Sequence, residues 1–380
     1  MNSSILQTER SGQPGARTMK YLLYLLFLSS LLDGAVAAVS CYNDNGEPVD
    51  WFFLYKLPRP RQRPLEDGLR YMYLDSENQD WREGRGSINQ SEGAVGRTLE
   101  QLYKLGESSE VAYVLYNDQP PRKEKERKEE SKWRTGYEKG HTKGVVLLDR
   151  SQGFWLVHST PHFPPPLPGE FSYPSSGVHN GQSFLCVTYS YAQFSNISEQ
   201  VFLNQPDWFN ISVPEPFATD CPGLQKLAQE ESVKAPWKSQ SSLTSLGGTA
   251  FISFAKAAQF NDALYHSWVA PALGSDLLVQ FWPNSAGVLP SNCSPPQHVL
   301  NVQEIGFPPG AGAPPPFSSH VDHSKWCVSE GEAAGAWTCV GDVNRDQGEE
   351  LRGGGTVCID NRLVWKSYRQ LVQKYSKCED

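Results

Sequence analysis

Two copies of one short motif, a histidine and a lysine separated by one residue, lie in opposite halves of this chain. The first copy is His141-Thr142-Lys143 and the second is His323-Ser324-Lys325. In each copy a tryptophan follows the histidine by fourteen positions, Trp155 in the first half and Trp337 in the second. A motif repeated with the same downstream spacing predicts two similar halves that each contribute part of a single site.

The residue types in the repeated motif indicate phosphodiester chemistry. Residues two apart in a strand point to the same side, so the imidazole and ammonium of each motif are expected to project together. Cleavage of a phosphodiester requires a nucleophile, a proton donor for the leaving alcohol, and cations beside the non-bridging oxygens. His141 and His323 are the predicted nucleophile and acid, in an order that the sequence leaves open, and a phosphohistidine would be the intermediate. Lys143 and Lys325 are the predicted cations and Asn344 a neutral hydrogen-bond donor, so neither a metal ion nor another cofactor is expected.

Two further histidines stand near these motifs. His158 ends an apolar segment, so it is either an orienting group for the site or a buried strand end. His320 precedes His323 by three positions, a spacing that occurs in metal sites, but no glutamate or third histidine stands nearby at ligand spacing. We therefore expect no metal site.

The N-terminal region has the features of a secretory signal peptide. Lys20 precedes an apolar run over residues 21–28, and Ala35 and Ala37 form an alanine-x-alanine cleavage pattern. We therefore expect residues 1–40 to be a signal peptide region, with a signal anchor as the alternative. After residue 40 no apolar run has the length of a membrane-spanning helix, so no membrane span is expected once the signal is cleaved.

The cysteines and sequons fit a secreted chain. All eight cysteines lie at or after Cys41, downstream of the predicted cleavage. An even number of cysteines in such a chain predicts disulfides and an oxidising compartment, although spacing alone leaves about 105 full pairings open. Candidate glycosylation sites lie in four sequons, at Asn89, Asn196, Asn210 and Asn292.

The net charge bears on which partners the chain can bind. The full chain carries a formal charge of −8, and loss of residues 1–40 removes three basic and two acidic residues, which leaves −9. Such a charge disfavours nonspecific nucleic-acid binding at neutral pH. Near pH 5 the eight histidines would add up to about eight positive charges, since their ordinary pKa is about 6.5. An acidic compartment would therefore favour contact with a polyanion.

Hydrophobic patterning predicts a mixed α/β fold. Segments rich in β-branched and aromatic residues predict strands at 111–116, 144–148, 154–158, 184–189 and 277–282. The alanine-containing segment 249–268 is predicted to form a helix that ends before Pro271. The proline-rich segment 204–222 is the predicted seam between residues 41–213 and 214–380, each half being a mixed sheet flanked by helices.

Longer matches to a known family surround both motifs. They include Pro48-Val49-Asp50-Trp51-Phe52, Leu115-Tyr116-Asn117-Asp118, Phe154-Trp155-Leu156-Val157-His158-Ser159, Asp322-His323-Ser324-Lys325-Trp326-Cys327 and Trp337-Thr338-Cys339-Val340-Gly341-Asp342. On these residues the chain resembles the deoxyribonuclease II family, the acid endonucleases of lysosomes, over nearly everything after the leader. The resemblance implies two phospholipase D-like halves that share one cleft. It also implies metal-independent cleavage of double-stranded DNA at acid pH, with 3′-phosphate and 5′-hydroxyl ends, by the histidines and lysines of the two motifs.

The same resemblance carries further implications and two departures. It implies the disulfides Cys41–Cys186, Cys293–Cys378 and Cys339–Cys358, and leaves Cys221 and Cys327 unassigned. The superfamily places an aspartate after the motif lysine and four further residues, whereas Asp149 comes one residue late and the second copy has none. Asp149 is therefore as consistent with a structural role as with a catalytic one. The charged run 122–134 is longer than is usual for the family, and we interpret it as a solvated loop, with a DNA-contacting arm as the alternative.

Two other functions fit the sequence. One is a lysosomal phospholipase D-type phosphodiesterase that acts on lipid or single-stranded nucleic acid. The other is a secreted glycoprotein that binds nucleic acid for uptake, which would tolerate loss of either motif histidine. The oligomeric state stays open between a monomer with two pseudo-symmetric halves and a homodimer.

Overall fold

Two large β-sheets form the frame of the protein, which the computed structural model describes for residues 38–60, 68–121, 139–310, 312 and 314–378. The predicted leader lies outside these residues up to position 37, as does the whole charged run 122–134. The two sheets with their helices confirm the predicted mixed α/β fold. Within the described part of the chain, no helix is long and apolar enough to cross a membrane.

The first sheet is built from the N-terminal part of the chain. The strands there are β1 (Cys41–Tyr42), β2 (Pro48–Val49), β3 (Trp51–Lys56), β4 (Tyr71–Asp75), β5 (Arg82–Glu83), β6 (Ala112–Asn117), β7 (Lys143–Leu148), β8 (Gln152–His158), β9 (Gln182–Ser190) and β10 (Trp208–Ser212). The helices there are α1 (Ala94–Leu105) and α2 (Phe194–Leu203). Among the described residues the sheet has eight strands in the order β10-β6-β7-β8-β9-β3-β4-β5, and all neighbours are antiparallel. Strands β1 and β2 pair separately.

The second sheet is built from the C-terminal part. Its strands are β11 (Lys238–Thr244), β12 (Ala250–Lys256), β13 (Leu277–Gln280), β14 (Val299–Ile305), β15 (Phe317–Ser318), β16 (Trp326–Ser329), β17 (Trp337–Gly341), β18 (Gly354–Asp360) and β19 (Val372–Tyr375). The helices are α3 (Phe217–Asp220), α4 (Pro222–Ala228), α5 (Ala270–Leu273), α6 (Gln347–Glu350) and α7 (Arg362–Arg369). The strand order is β11-β12-β18-β17-β16-β13-β14-β15, with β19 also on β14. Strands β13 and β14 are parallel, and the other neighbours are antiparallel.

The centres of the two sheets have the same topology. Strands β6-β7-β8-β9-β3 lie side by side in the first sheet, and β13-β16-β17-β18-β12 lie side by side in the second. The chain visits these strands in the same order, β3 before β6 to β9 and β12 before β13 to β18. Each His-x-Lys motif leads into the start of the second of these strands, β7 in the first sheet and β16 in the second. The tryptophan fourteen positions after each histidine lies in the next strand, Trp155 in β8 and Trp337 in β17. The predicted boundary between the two halves, at residues 213 and 214, stays a prediction. It falls between the end of the last strand of the first sheet, at Ser212, and the start of the first strand of the second, at Lys238.

Alternation along the central strands separates two apolar layers. In β3, Trp51, Phe53 and Tyr55 belong to a buried cluster that also contains residues of the second sheet, among them Trp326. The intervening residue Phe52 belongs to a different cluster, to which helix α1 contributes its buried side. Because successive strand residues point to opposite faces, the first sheet packs on the second through one face and on α1 through the other.

Five predicted strands are confirmed, and the helix predicted over 249–268 is wrong. Strands β6, β7, β8, β9 and β13 match the predictions within one or two residues at each end. Residues Ala250–Lys256 instead form β12, whose two edges pair with β11 and β18. Helical structure begins only after β12, with a short 3-10 helix at Ala258–Phe260, and resumes at Tyr265–Val269 to continue through Pro271 in α5. Pairing on both edges of β12 outweighs the helix preference of its alanines, because local propensity is a weak determinant compared with tertiary packing.

Three disulfides link the described cysteines. They are Cys41–Cys186, Cys293–Cys378 and Cys339–Cys358, with Cα–Cα distances of 6.0, 5.7 and 3.9 Å. These are the pairings that the family resemblance implies. Cys221 and Cys327 are buried free thiols.

The four sequon asparagines differ in accessibility. Asn89 and Asn196 are exposed, whereas Asn210 and Asn292 are half-buried. The Asn210 side-chain oxygen also accepts a hydrogen bond from the Leu167 N–H at 2.9 Å. Glycosylation stays a prediction at all four positions, and the exposed pair offers the freer side chains.

Candidate active site

The backbone holds each motif against the opposite half of the fold. The His141 N–H donates to the Gly353 carbonyl, just before β18, at 2.9 Å. The His323 N–H donates to the Gly181 carbonyl, just before β9, also at 2.9 Å. A Cβ atom at Gly353 would lie only 2.3 Å from the Asn204 carbonyl oxygen, so this close approach requires glycine. These reciprocal bonds bring both motifs to the line where the two sheets meet.

The His141 imidazole lies between two carboxylates. Its Nδ1 is hydrogen-bonded to Glu349 Oε1, in helix α6, and its Nε2 lies 3.7 Å from Asp118 Oδ2. The side chain is 8% exposed. Burial lowers the pKa of His141, while the charges of Glu349 and Asp118 oppose that shift.

Asp118 binds basic groups from both halves of the chain. Lys143 Nζ forms an ion pair with its Oδ1, and Arg352 approaches its Oδ2 at 3.3 Å. Burial opposes ionisation of Asp118, but Lys143, His141 and Arg352 together hold its pKa well below the ordinary value. The site therefore contains a fixed carboxylate surrounded by three groups of the kind that bind phosphate.

The His323 imidazole has different neighbours. Its Nδ1 lies 2.9 Å from the Ser159 carbonyl oxygen and 3.2 Å from Gln182 Oε1. Its Nε2 lies 3.0 Å from Lys325 Nζ, which also donates to the His323 carbonyl at 2.9 Å. Burial and the charges of Lys325 and Lys143 lower the pKa of His323 well below its ordinary value. Burial and the nearby Lys143 lower the pKa of Lys325 to about 7.

A chain of contacts joins the two histidines into one site. Asn344 donates from Nδ2 to Glu349 Oε1 at 3.4 Å, and its Oδ1 accepts from the Trp282 N–H at 3.1 Å. The Trp282 ring packs edge-on against the His323 ring, with centroids 5.4 Å apart. Because Glu349 also binds His141, the contacts run without interruption from one histidine to the other. The structure thus brings together all five side chains singled out in the sequence.

Asp342 ties the first motif to the second sheet. Its Oδ2 accepts hydrogen bonds from Thr142 Oγ1 at 2.6 Å and from the Lys143 N–H at 3.2 Å. Its Oδ1 is buried without a hydrogen-bond partner in the described part of the chain. Burial raises the pKa of Asp342 to about 7, so this carboxyl group is neutral in acid.

The two residues with open roles, His158 and Asp149, both bind backbone N–H groups. His158 is buried, its Nδ1 accepts from the Thr160 N–H at 3.2 Å, and its Nε2 has no hydrogen-bond partner among the described residues. Burial lowers the pKa of His158 to about 3, so the expectation of eight charged histidines near pH 5 is wrong for this residue. Asp149 lies at the turn after β7, where it accepts from the Val39 N–H at 3.0 Å and from Ser151.

The second pair of histidines, His320 and His323, does not share a metal-like set of neighbours in the described part of the chain. His320 binds the side chain of Asn284 at 2.6 Å. Among the residues that the structure describes, no group of three or more histidine, cysteine, aspartate or glutamate side chains is arranged to hold a metal ion.

Several site residues could not be found from the repeated motif. Asp118, Glu349 and Arg352 contact the first motif, and Gln182 and Trp282 contact the second. Glu349 is 208 positions from its partner His141, so no local spacing connects them. The available signals were weak: Asp118 closes a family-like segment after β6, and Glu349 follows Asn344 by five residues.

Comparison with known proteins identifies the family to which the chain belongs. The family model described as Deoxyribonuclease II matches residues 40–378. The chain is 46% identical to deoxyribonuclease-2-alpha of Sus scrofa over 93% of this chain and 94% of the relative. It is 46% identical to deoxyribonuclease-2-alpha of Mus musculus, over 93% and 97% of the two chains, and 38% identical to deoxyribonuclease-2-beta of Mus musculus, over 96% and 99%. Matches of this extent and identity show that the chain belongs to the deoxyribonuclease II family.

Proposed function

We propose that this protein is an acid endodeoxyribonuclease that hydrolyses double-stranded DNA without a metal ion and leaves 3′-phosphate and 5′-hydroxyl ends. The observation that carries the proposal is the convergence of His141 and His323, each with its lysine, on one cluster where the two sheets meet. Membership of the deoxyribonuclease II family supports DNA as the substrate and favours the nuclease over a lipid phosphodiesterase.

The proposed reaction proceeds in two displacements. One histidine attacks phosphorus and forms a phosphohistidine, while the other protonates the leaving 5′ oxygen. Water then cleaves the phosphorus–nitrogen bond with the second histidine acting as base. Lys143, Lys325 and Arg352 offer positive charge to the phosphate, and Asn344 contributes an amide donor.

Two titrating groups in the site support activity in acid. Below pH 7 the Lys325 ammonium is charged and the Asp342 carboxyl is neutral, since the pKa of each lies at about 7. As pH rises through this range, Lys325 loses a positive charge and Asp342 gains a negative one. Both changes disfavour a bound phosphate, so substrate affinity should fall as pH rises.

We predict that the purified protein nicks supercoiled plasmid at pH 5 in excess EDTA and does so poorly at pH 7.5. The pH profile should be a bell, because one histidine must be neutral and the other protonated. Plasmid nicking across the pH range, with and without EDTA and Mg²⁺, measures both expectations. Matched assays with phospholipid and with single-stranded DNA test the alternative substrates. Activity that appears only with added metal would rule out the proposed chemistry.

DNA binding by the His323→Ala variant is predicted to be stronger at pH 5 than at pH 7.5. The charge changes at Lys325 and Asp342 account for this expectation, since acid adds a positive charge at the first and removes a negative charge from the second. Fluorescence anisotropy with a labelled duplex measures binding without turnover. Equal affinity at both pH values would assign the acid dependence to the chemical steps alone.

The proposal extends to cellular context and to fold ancestry. We propose that the chain is secreted with a signal peptide, glycosylated and delivered to the lysosome, which would supply the acid pH. We further propose that residues 41–213 and 214–380 are two phospholipase D-like halves, which the matching strand orders of the two sheets support.

A further inference from the structure

The two motif histidines are held by the same kind of backbone hydrogen bond, but a different group contacts the Nδ1 atom of each. In both, the histidine N–H donates to a carbonyl just before a strand of the opposite sheet, at 2.9 Å. In both, the Nδ1 partner comes from the opposite half, from the segment that follows the tryptophan-bearing strand: between β17 and β18 for His141, and between β8 and β9 for His323. For His141 that partner is the Glu349 carboxylate, and for His323 it is the Ser159 carbonyl. The two histidines thus differ by one negative charge, which stands beside the Nδ1 atom of His141 and not beside that of His323.

His323 is surrounded as a neutral imidazole. Ser159 O and Gln182 Oε1 are both acceptors, and Gln182 Oε1 also accepts from Ser159 Oγ at 2.6 Å, which fixes its orientation. The proton of His323 therefore lies on Nδ1. The Lys325 ammonium lies 3.0 Å from Nε2 and donates to a lone pair on that atom. Its positive charge disfavours protonation of the ring. A neutral imidazole with an unprotonated Nε2 is the form that attacks phosphorus, once the phosphate takes up the Lys325 ammonium.

The surroundings of His141 favour an imidazolium more than those of His323 do. Glu349 holds its Nδ1, and Asp118 Oδ2 lies 3.7 Å from its Nε2. A carboxylate stabilises a protonated ring far more than a carbonyl dipole does, since it adds a full opposite charge in a buried setting. The opposing Lys143 is itself paired with Asp118. An imidazolium with Nδ1 anchored and Nε2–H available is the form that protonates a leaving alcohol.

We infer that His323 is the nucleophile, that His141 is the general acid, and that Glu349 is the positioning residue that keeps His141 protonated and oriented. This assignment rests on the proposed two-histidine function and deepens it. In the first step His323 Nε2 bonds to phosphorus, the bond from phosphorus to the 5′ oxygen breaks, and the His141 Nε2 proton passes to that oxygen. In the second step water attacks phosphorus and gives a proton to His141 Nε2. The bond from phosphorus to His323 breaks, which leaves a 3′-phosphate and restores both histidines.

The fold secures Glu349 on both sides. Its N–H donates to Asp346 Oδ1 at 3.1 Å, which caps helix α6. The buried Lys256 ammonium, at the end of β12, donates to the Glu349 and Glu350 carbonyl oxygens at 2.8 and 3.1 Å. A four-residue helix is held at both ends, so the carboxylate reaches His141 from a fixed backbone. That is the arrangement expected of a group that orients another.

The assignment can be tested with a duplex in which sulfur replaces the bridging 5′ oxygen at one position. A thiol leaves without a proton donor, because its pKa is about 8.5 whereas that of an alcohol is far higher. On the ordinary diester, His141→Ala and His323→Ala should each lose on the order of 10³-fold in rate. On the sulfur-bridged duplex, His141→Ala should recover to within about tenfold of the unaltered protein in a single turnover. It should also accumulate a covalent adduct between protein and DNA, since the second step lacks its base.

The outcomes separate the role assignment from the proposed function. His323→Ala should stay inactive on the sulfur-bridged duplex and form no adduct. Recovery and adduct formation by His323→Ala instead, or recovery by neither variant, would overturn the assignment and leave the two-histidine site standing. Near-normal cleavage of the ordinary diester by either variant would overturn the proposed function itself.

Glu349 is tested by the same pair of substrates. Glu349→Gln keeps the shape and removes the charge, so it should lose roughly 10²-fold on the ordinary diester and little on the sulfur-bridged one. Glu350→Gln removes a neighbouring charge from the same helix and should be near normal on both. An equal loss on both substrates would exclude action through the acid. Because the histidine variants decide the roles independently, the assignment stays testable even if Glu349→Gln fails to fold.

Discussion

DNA cleavage is expected to fall by about 10³-fold or more when either His141 or His323 is replaced with alanine. In the proposed reaction the two imidazoles have non-interchangeable tasks, since one attacks phosphorus and the other protonates the leaving oxygen. Each also has its own fixed partners, Glu349 for His141 and Ser159 for His323, so neither can move to serve for the other. Plasmid nicking at pH 5 by the secreted variants measures the effect.

His320→Ala is the matched control for these variants. His320 is exposed, lies three positions before His323 and contacts Asn284 rather than the site. The His320→Ala variant should retain near-normal activity. All three variants should be secreted and show the far-ultraviolet circular dichroism of the unaltered protein. A folded His141→Ala or His323→Ala protein with substantial activity would contradict a shared site. It would favour the alternative function of a secreted glycoprotein that binds nucleic acid.

The second large effect is expected at the disulfide Cys339–Cys358. Replacing both cysteines with alanine should lower the free energy of unfolding by roughly 2–4 kcal/mol and reduce cleavage as well. The bridge joins β17 to β18 and closes the segment that carries Asp342, Asn344 and Glu349. Loosening this segment would weaken its contacts with the first motif. Urea unfolding followed by fluorescence gives the stability change, and plasmid nicking gives the activity.

Cys221→Ala provides the comparison for the disulfide variant. Cys221 is a buried free thiol between α3 and α4, in the shared core and remote in sequence from both motifs. Its replacement should cost some packing energy and leave cleavage intact. Peptide mapping without reduction should recover Cys339 with Cys358. A pairing of either cysteine elsewhere would remove the basis of the prediction.

The sequence by itself determined the candidate reacting groups and most of the strands around them. The repeated His-x-Lys motif identified His141, Lys143, His323 and Lys325, because a spacing of two places both side chains on one side of an extended backbone. Strands β6 to β9 and β13 were predictable because their β-branched and aromatic runs suit a pleated, buried surface. The equal spacing to Trp155 and Trp337 indicated two similar halves, which the matching strand orders of the two sheets reproduce.

Only the tertiary structure decided what surrounds those groups. Residues 250–256 form a strand rather than a helix because β11 and β18 are available to pair with both edges, which no local pattern reveals. Asp118 and Glu349 became part of the site because the chain returns to it from distant segments, Glu349 from 208 positions beyond His141. The motifs are alike in sequence, and a single carboxylate at one Nδ1 makes their histidines chemically different. That difference arises from burial and charge in the folded chain, where a nearby carboxylate acts with little screening by water.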